Sequence, residues 1–90
     1  MAQKKMYIYR LEAGYDKKEP SVTEFFYAPN SKQLIQYAQG IYRKERYNKY
    51  TTIKVGESKD EKRMRLISDF EAWYLKQNMT AEFYSERNEP

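Results

Sequence analysis

The stretch from Pro29 to Tyr50, PNSKQLIQYAQGIYRKERYNKY, limits what this 90-residue chain can fold into more than any other. Pro29 favours an extended residue before it, and Asn30 or Ser31 can accept the first free helix N–H groups. With Asn30 as cap, Gln33 stands where a capping box needs it. Leu34, Ile35, Ala38, Ile41 and Tyr42 then recur on a 3.6-residue period, opposite Lys32, Gln33, Gln36 and Gln39. The pattern predicts one amphipathic helix, with Ile41 an anchor of the core. Gly40 inside it costs about 1 kcal/mol against alanine, which implies a close neighbour or a bend. Arg43, Lys44, Arg46 and Lys49 fall in its last turns, where positive charge suits the helix dipole.

On either side the period changes to two. Met6–Glu12 (MYIYRLE) and Val22–Ala28 (VTEFFYA) are rich in β-forming residues and flank the polar run Gly14–Pro20, so they read as a hairpin with Lys17 and Lys18 at a solubilising tip. Tyr50–Val55 (YTTIKV) alternates as a half-buried strand and ends at Gly56. Lys62–Gln77 reads two ways. As one helix it is capped by Ser58 with Glu61, and Leu66, Ile67, Phe70, Trp73 and Tyr74 form its stripe, Phe70 anchoring the core. Otherwise Lys62–Ser68 is a strand and a shorter helix starts at Ser68, with Glu71 completing its box. The single helix is preferred, because DEKRMRL is rich in helix formers and poor in β-branched residues. Asn78 is a stop, and Thr80–Arg87, with Phe83 and Tyr84, is a short helix or an edge strand ahead of a frayed end.

The fold expected is therefore α+β, a two-layer sandwich in which a mostly antiparallel sheet of three or four strands carries two helices on one face. The order is β-β-α-β-α, with β-β-α-β-β-α as the alternative and a weak hairpin-plus-helix repeat in the second case. Ninety residues make one small domain, ordered from about residue 6 to about residue 86, that buries roughly 60–65% of its unfolded surface. An aromatic content of 17% argues against disorder.

Composition also narrows the chemistry. There is no cysteine and no histidine, which removes disulfides, nearly all zinc sites and the Ser-His and Cys-His nucleophile systems. Glu57, Asp60, Glu61, Asp69 and Glu71 are explained by capping and by pairing with nearby cations. No enzymatic activity, cofactor or metal is expected. No apolar run approaches a membrane span and the first residues lack the core of a signal peptide, so the expected compartment is the cytoplasm. Heavy use of Lys, Tyr, Asn and Ile is compatible with an AT-rich bacterial or phage genome.

The net charge of +4 is unevenly placed: up to Val55 there are 11 Lys and Arg against 5 Asp and Glu, and from Gly56 onward 6 against 8. A polyanion is therefore expected at the first half. If Met6, Ile8, Val22, Phe26, Ile53 and Val55 face the core, Tyr7, Tyr9, Phe25 and Tyr27 share the other face beside Lys54 and Thr52. Such a platform can stack single-stranded bases, or it is a set of cross-strand pairs that stabilises the sheet. Arg43, Lys44, Arg46 and Lys49, interleaved with Tyr47 and Tyr50, can hold phosphates, or are a solvated helix end. Trp73 and Tyr74 are core beside Phe70, or a protein-binding patch if their helix is only half buried. The function expected is a binding or accessory protein of phage or mobile-element type that contacts nucleic acid through its basic, tyrosine-rich half. The alternative is a protein adaptor or inhibitor using aromatic anchors, through self-association or another chain.

Overall fold

β-Forming residues at both ends of a short polar connection produce the expected hairpin. Met6–Gly14 (β1) and Val22–Ala28 (β2) pair antiparallel in a computed structural model that describes residues 5–16, 19–58 and 61–78. The Ser21 N–H closes the hairpin on the Ala13 carbonyl at 2.9 Å. Gly14 suits the close approach there: a Cβ would lie 3.0 Å from the Ser21 nitrogen and 3.3 Å from the Pro20 Cα, so a larger residue makes the backbone give way slightly.

The helix that follows, Ser31–Ile41 (α1), begins as its sequence dictates. The Asn30 side chain accepts from the Gln33 N–H at 2.8 Å, and Leu34 and Ala38 are fully buried. It ends well before Tyr50. Beyond a cap at Tyr42 the chain makes one 3₁₀ turn, Arg43–Glu45, and reverses at Arg46, whose φ of 57° is left-handed. Lys49–Ser58 (β3) then pairs with β1, its first residue opposite Gly14. The four cations expected in the last helical turns therefore sit in the reversal and at the start of β3. A Cβ at Gly40 would meet nothing within 4 Å, so no close neighbour demands that glycine.

The second ambiguity resolves toward the alternative order, β-β-α-β-β-α. Arg65–Ile67 (β4) adds to β2, with Phe25 opposite Ile67 and Tyr27 opposite Arg65, and Asp69–Asn78 (α2) follows. Both cap bonds form, Ser58 Oγ accepting from the Glu61 N–H at 3.0 Å and Ser68 Oγ from the Glu71 N–H at 3.2 Å. Only the second opens a helix. Burial of Ile67 against the sheet outweighs the helix propensity of the residues before it. Thr80–Arg87, Phe83, Tyr84, Asp60, Lys17 and Lys18 lie outside the described residues, as does the expected limit of order near residue 86.

The result is an α+β domain on a four-stranded antiparallel sheet of order β3-β1-β2-β4. The helices, however, do not share a face. Tyr9, Leu11, Ala13, Phe26 and Ala28 pack with Leu34 and Ala38 of α1, whereas Met6, Ile8, Tyr27, Val55 and Ile67 pack with Ala72 of α2. Register explains the difference. Ile8 lies opposite Tyr27 and Tyr9 opposite Phe26, and residues directly opposite one another point the same way. Val22 and Phe26 thus belong with Tyr7 and Tyr9, the reverse of the expected phase, because a shift of one residue exchanges every side chain between faces. On β3 Ile53 lies opposite Arg10 and shares the α2 side with Val55 two residues on, and a bulge then sets Ile8 opposite Gly56 while Tyr9 stays opposite Lys54.

Candidate functional site

With both faces of the sheet covered, the described residues form no open aromatic platform. Tyr9 is buried beneath α1, where desolvation raises its phenol pKa, and Tyr7 packs edge-on to it with ring centroids 6.5 Å apart. Lys54 does lie beside the rings as expected, its Nζ 4.3 Å from the Tyr7 centroid. Phe25 and Tyr27 belong to the opposite face. Tyr27 is buried under the Arg65 guanidinium at 4.9 Å, and Phe25 is half-buried with the Lys76 ammonium 5.1 Å above its ring. Of the four rings expected to stack bases, two therefore pack on each side of the sheet.

The basic cluster is brought together, on a turn built by tyrosines. The rings of Tyr42, Tyr15 and Tyr50 meet Tyr47 edge-on at 5.7, 5.4 and 6.5 Å. The Tyr15 hydroxyl donates to the Glu45 carbonyl, the Asn48 N–H to the Gly14 carbonyl at 3.0 Å, and the Asp16 N–H to the Asn48 side chain at 3.0 Å. The reversal is thus tied to the end of β1. Burial and the nearby Glu24 carboxylate push the Tyr42 phenol up to about 12, and desolvation raises Glu24 in turn. Outside this frame Arg43, Lys44, Arg46 and Lys49 are all exposed. Among the described residues none of the four makes an ion pair.

α2 is turned in the unexpected sense. Glu71, Ala72, Leu75 and Lys76 face the sheet: Ala72 and Leu75 join the core, Glu71 binds Arg65, and Lys76 covers Phe25. The Arg65 guanidinium takes both Glu71 oxygens at 2.9 Å and one Glu61 oxygen at 3.0 Å, and these bonds lower both carboxylate pKa values. A carboxylate held this way is a poor proton acceptor. The opposite face carries Phe70, Trp73 and Tyr74, exposed by 76%, 57% and 57%. Phe70 and Trp73 stack on each other, 6.2 Å between centroids and 28° between planes. Neither Phe70 nor Ile41, which is 46% exposed, anchors the core, and Trp73 and Tyr74 are surface residues.

The sequence carried a signal for this arrangement. Once Ile67 is spent on a strand and Ser68 caps, the residues at i, i+1, i+4 and i+5 from Glu71 are those with partners on the sheet, and the aromatic ones are left outside. Shallow grooves among the described residues include one beside Gly14, Tyr15 and Lys49 and another lined by Arg10, Glu12, Thr23, Phe25 and Lys76. In the second, the buried Arg10 Nε has no hydrogen-bond partner among the described residues and lies 3.4 Å from the Glu12 carboxylate. No helix among the described residues is long and apolar enough to cross a membrane. Comparison with family models, with curated proteins and with solved structures gives no match.

Proposed function

We propose that this protein is a small non-enzymatic binding module that docks a protein partner on the outer face of α2. The orientation of that helix is the observation that carries the reading. Phe70, Trp73 and Tyr74 present roughly 400 Å² of ring surface to solvent, a size at which apolar patches are commonly functional. Trp and Tyr anchor interfaces because a large apolar area is fixed by few rotatable bonds. The test is capture from lysate of the producing cells on immobilised protein, compared with Phe70→Glu and Trp73→Glu. Partners lost with both variants and kept by Ile41→Glu support the face; partners kept by all three refute it.

A second surface supports a second reading, a polyanion held on the basic turn. Four exposed cations on a braced reversal, none in an ion pair with another described residue, favour it. Contact here is by phosphate neutralisation, since Tyr9 and Tyr27 are buried. A single strand touching all four cations gives a salt slope of about −3, and Arg43→Glu with Arg46→Glu weakens binding to every sequence alike. Titration with an oligonucleotide at about 50 mM salt that leaves the amide shifts of Arg43–Tyr50 unchanged removes this reading.

A further inference from the structure

We propose that the groove beside the last turn of α2 is a binding site for a small organic monocarboxylate, whose anion meets Arg10 and whose apolar body lies against Phe25. The site is separate from the outer face of α2 and does not depend on the reading of that face.

Strand register builds it. Side chains alternate along a strand, and those directly opposite on neighbouring strands share a face, so Arg10 and Glu12 stand on the α2 side of β1. Arg10 lies opposite Phe25 of β2 and Ile53 of β3, and Glu12 lies opposite Thr23. Ala72 and Leu75 of α2 pack with Met6, Ile8 and Tyr27, which precede these positions on the same face. Arg10, Glu12, Thr23 and Phe25 are left to line the groove with Lys76. Its volume of about 360 Å³ falls within the roughly 300–1,000 Å³ usual for ligand sites.

The unmet hydrogen bonding of Arg10 names the ligand. Its side chain is only 14% exposed, and Nε is buried without a hydrogen-bond partner among the described residues. The Glu12 carboxylate, 3.4 Å away, pairs with it by charge alone. A guanidinium taken out of water recovers its desolvation cost through hydrogen bonds as well as charge. A second carboxylate can supply them at the terminal nitrogens, because its two oxygens match the guanidinium fork. Arg10 and Lys76 bring two positive charges to the lining against one negative charge on Glu12, a balance that suits a monoanion. A dianion such as phosphate is repelled more strongly by Glu12. The Phe25 ring gives the rest of the ligand an apolar wall, and the exposed Thr23 hydroxyl adds a donor at the rim.

The probe is benzoate, titrated to about 20 mM at neutral pH and constant ionic strength into the isotope-labelled full chain, because so shallow a groove binds weakly. The readout is the Arg10 Nε–H resonance with the amides of Glu12 and Thr23. Saturable shifts are expected, with a dissociation constant on the order of 1 mM. Benzamide, the neutral amide of the same shape, gives none, and inorganic phosphate binds about fivefold more weakly or less. Glu12→Gln removes the competing carboxylate and tightens binding about threefold, whereas Thr23→Glu adds one at an exposed position and weakens it about tenfold. Unchanged amide shifts of Leu34 and Ala38 show that both variants keep the fold. Neither variant touches Arg10, whose replacement at a largely buried position would test folding as well as binding. N-acetylphenylalanine, a mimic of a peptide C-terminus, separates the sources of the carboxylate: tighter binding than benzoate assigns it to a chain end, weaker binding to a free acid. An Arg10 Nε–H resonance unmoved by benzoate in the parent and in Glu12→Gln overturns the site. So does a response that benzamide or phosphate reproduces in full, or one that survives Thr23→Glu.

Discussion

α1 and α2 cover opposite faces of the same sheet and carry their side chains in opposite senses. α1 buries Leu34 and Ala38 and turns Lys32, Gln36 and Gln39 to water. α2 turns Phe70, Trp73 and Tyr74 to water and keeps a glutamate and a lysine against the sheet, where Arg65 and Phe25 meet them. Ala72 and Leu75 are its apolar contributions to the core. The difference teaches that a helix is oriented by every partner its face finds, charged ones included. A bidentate guanidinium bond and a cation over a ring, added to burial of Ala72, hold α2 in the orientation that exposes its largest side chains.

The largest expected effects separate the two helices by stability. Leu34→Ala removes a fully buried side chain from beneath α1 and should cost about 2–5 kcal/mol, read from the midpoint of urea unfolding. Phe70→Ala should change stability by no more than about 0.5 kcal/mol, as surface substitutions do. Equal losses from the two would erase the distinction.

Next come the caps. Asn30→Ala should cost about 1 kcal/mol of global stability, because α1 is attached by a buried stripe and its end cannot fray alone. Ser68→Ala should act mainly on α2, speeding hydrogen exchange of Glu71 and Ala72 while the exchange of Leu34 is unaltered.

The smallest effect is on pH dependence, and its sign differs between the faces. Glu61 and Glu71 have folded pKa values below the ordinary 4.5, so their contribution to the α2 side is present above that value and is lost as pH falls through the depressed native values. Glu24, beneath the end of α1 near Tyr42, has a raised pKa. Its charged form opposes folding above the raised value, and that penalty is relieved as pH falls toward 4.5. Acid should therefore loosen α2 while α1 stays in place, with Leu75 methyl shifts moving before those of Leu34. Since Arg65 and its carboxylates are partly exposed, each pair contributes at most about 1 kcal/mol, and about 0.5 M salt should reduce the difference.

Much of this was legible in the residues. The hairpin, the cap at Asn30, the buried Leu34 and Ala38 and the α+β class all follow from period and turn chemistry, which are local. What was not legible is long-range. α1 stops at Ile41 because the following residues are claimed by pairing of Lys49 with Gly14 and by the rings around Tyr47, contacts between segments some thirty residues apart. The phase of β2 relative to β1 is fixed by which residues lie opposite, and alternation alone is the same in either phase. Ser68 and Glu71 did mark the true start of α2, but Ser58 and Glu61 make an equivalent bond without opening a helix. Of the proposed nucleic-acid contacts, Arg43, Lys44, Arg46, Tyr47, Lys49 and Tyr50 share one end of the molecule and Tyr7 lies with Lys54, whereas Tyr9 and Tyr27 are enclosed and Phe25 is half-buried under Lys76.

The inverted setting of α2 underlies the docking face, and side-chain nuclear Overhauser effects test it most directly. The account predicts that the Ala72 and Leu75 methyl groups show effects to members of the core formed by Met6, Ile8, Val55 and Ile67, while the Trp73 indole shows them to Phe70 and to none of these four. Indole effects to Ile8 or Ile67, with Ala72 silent, would mean that α2 is rolled with its aromatic face inward, and would contradict it.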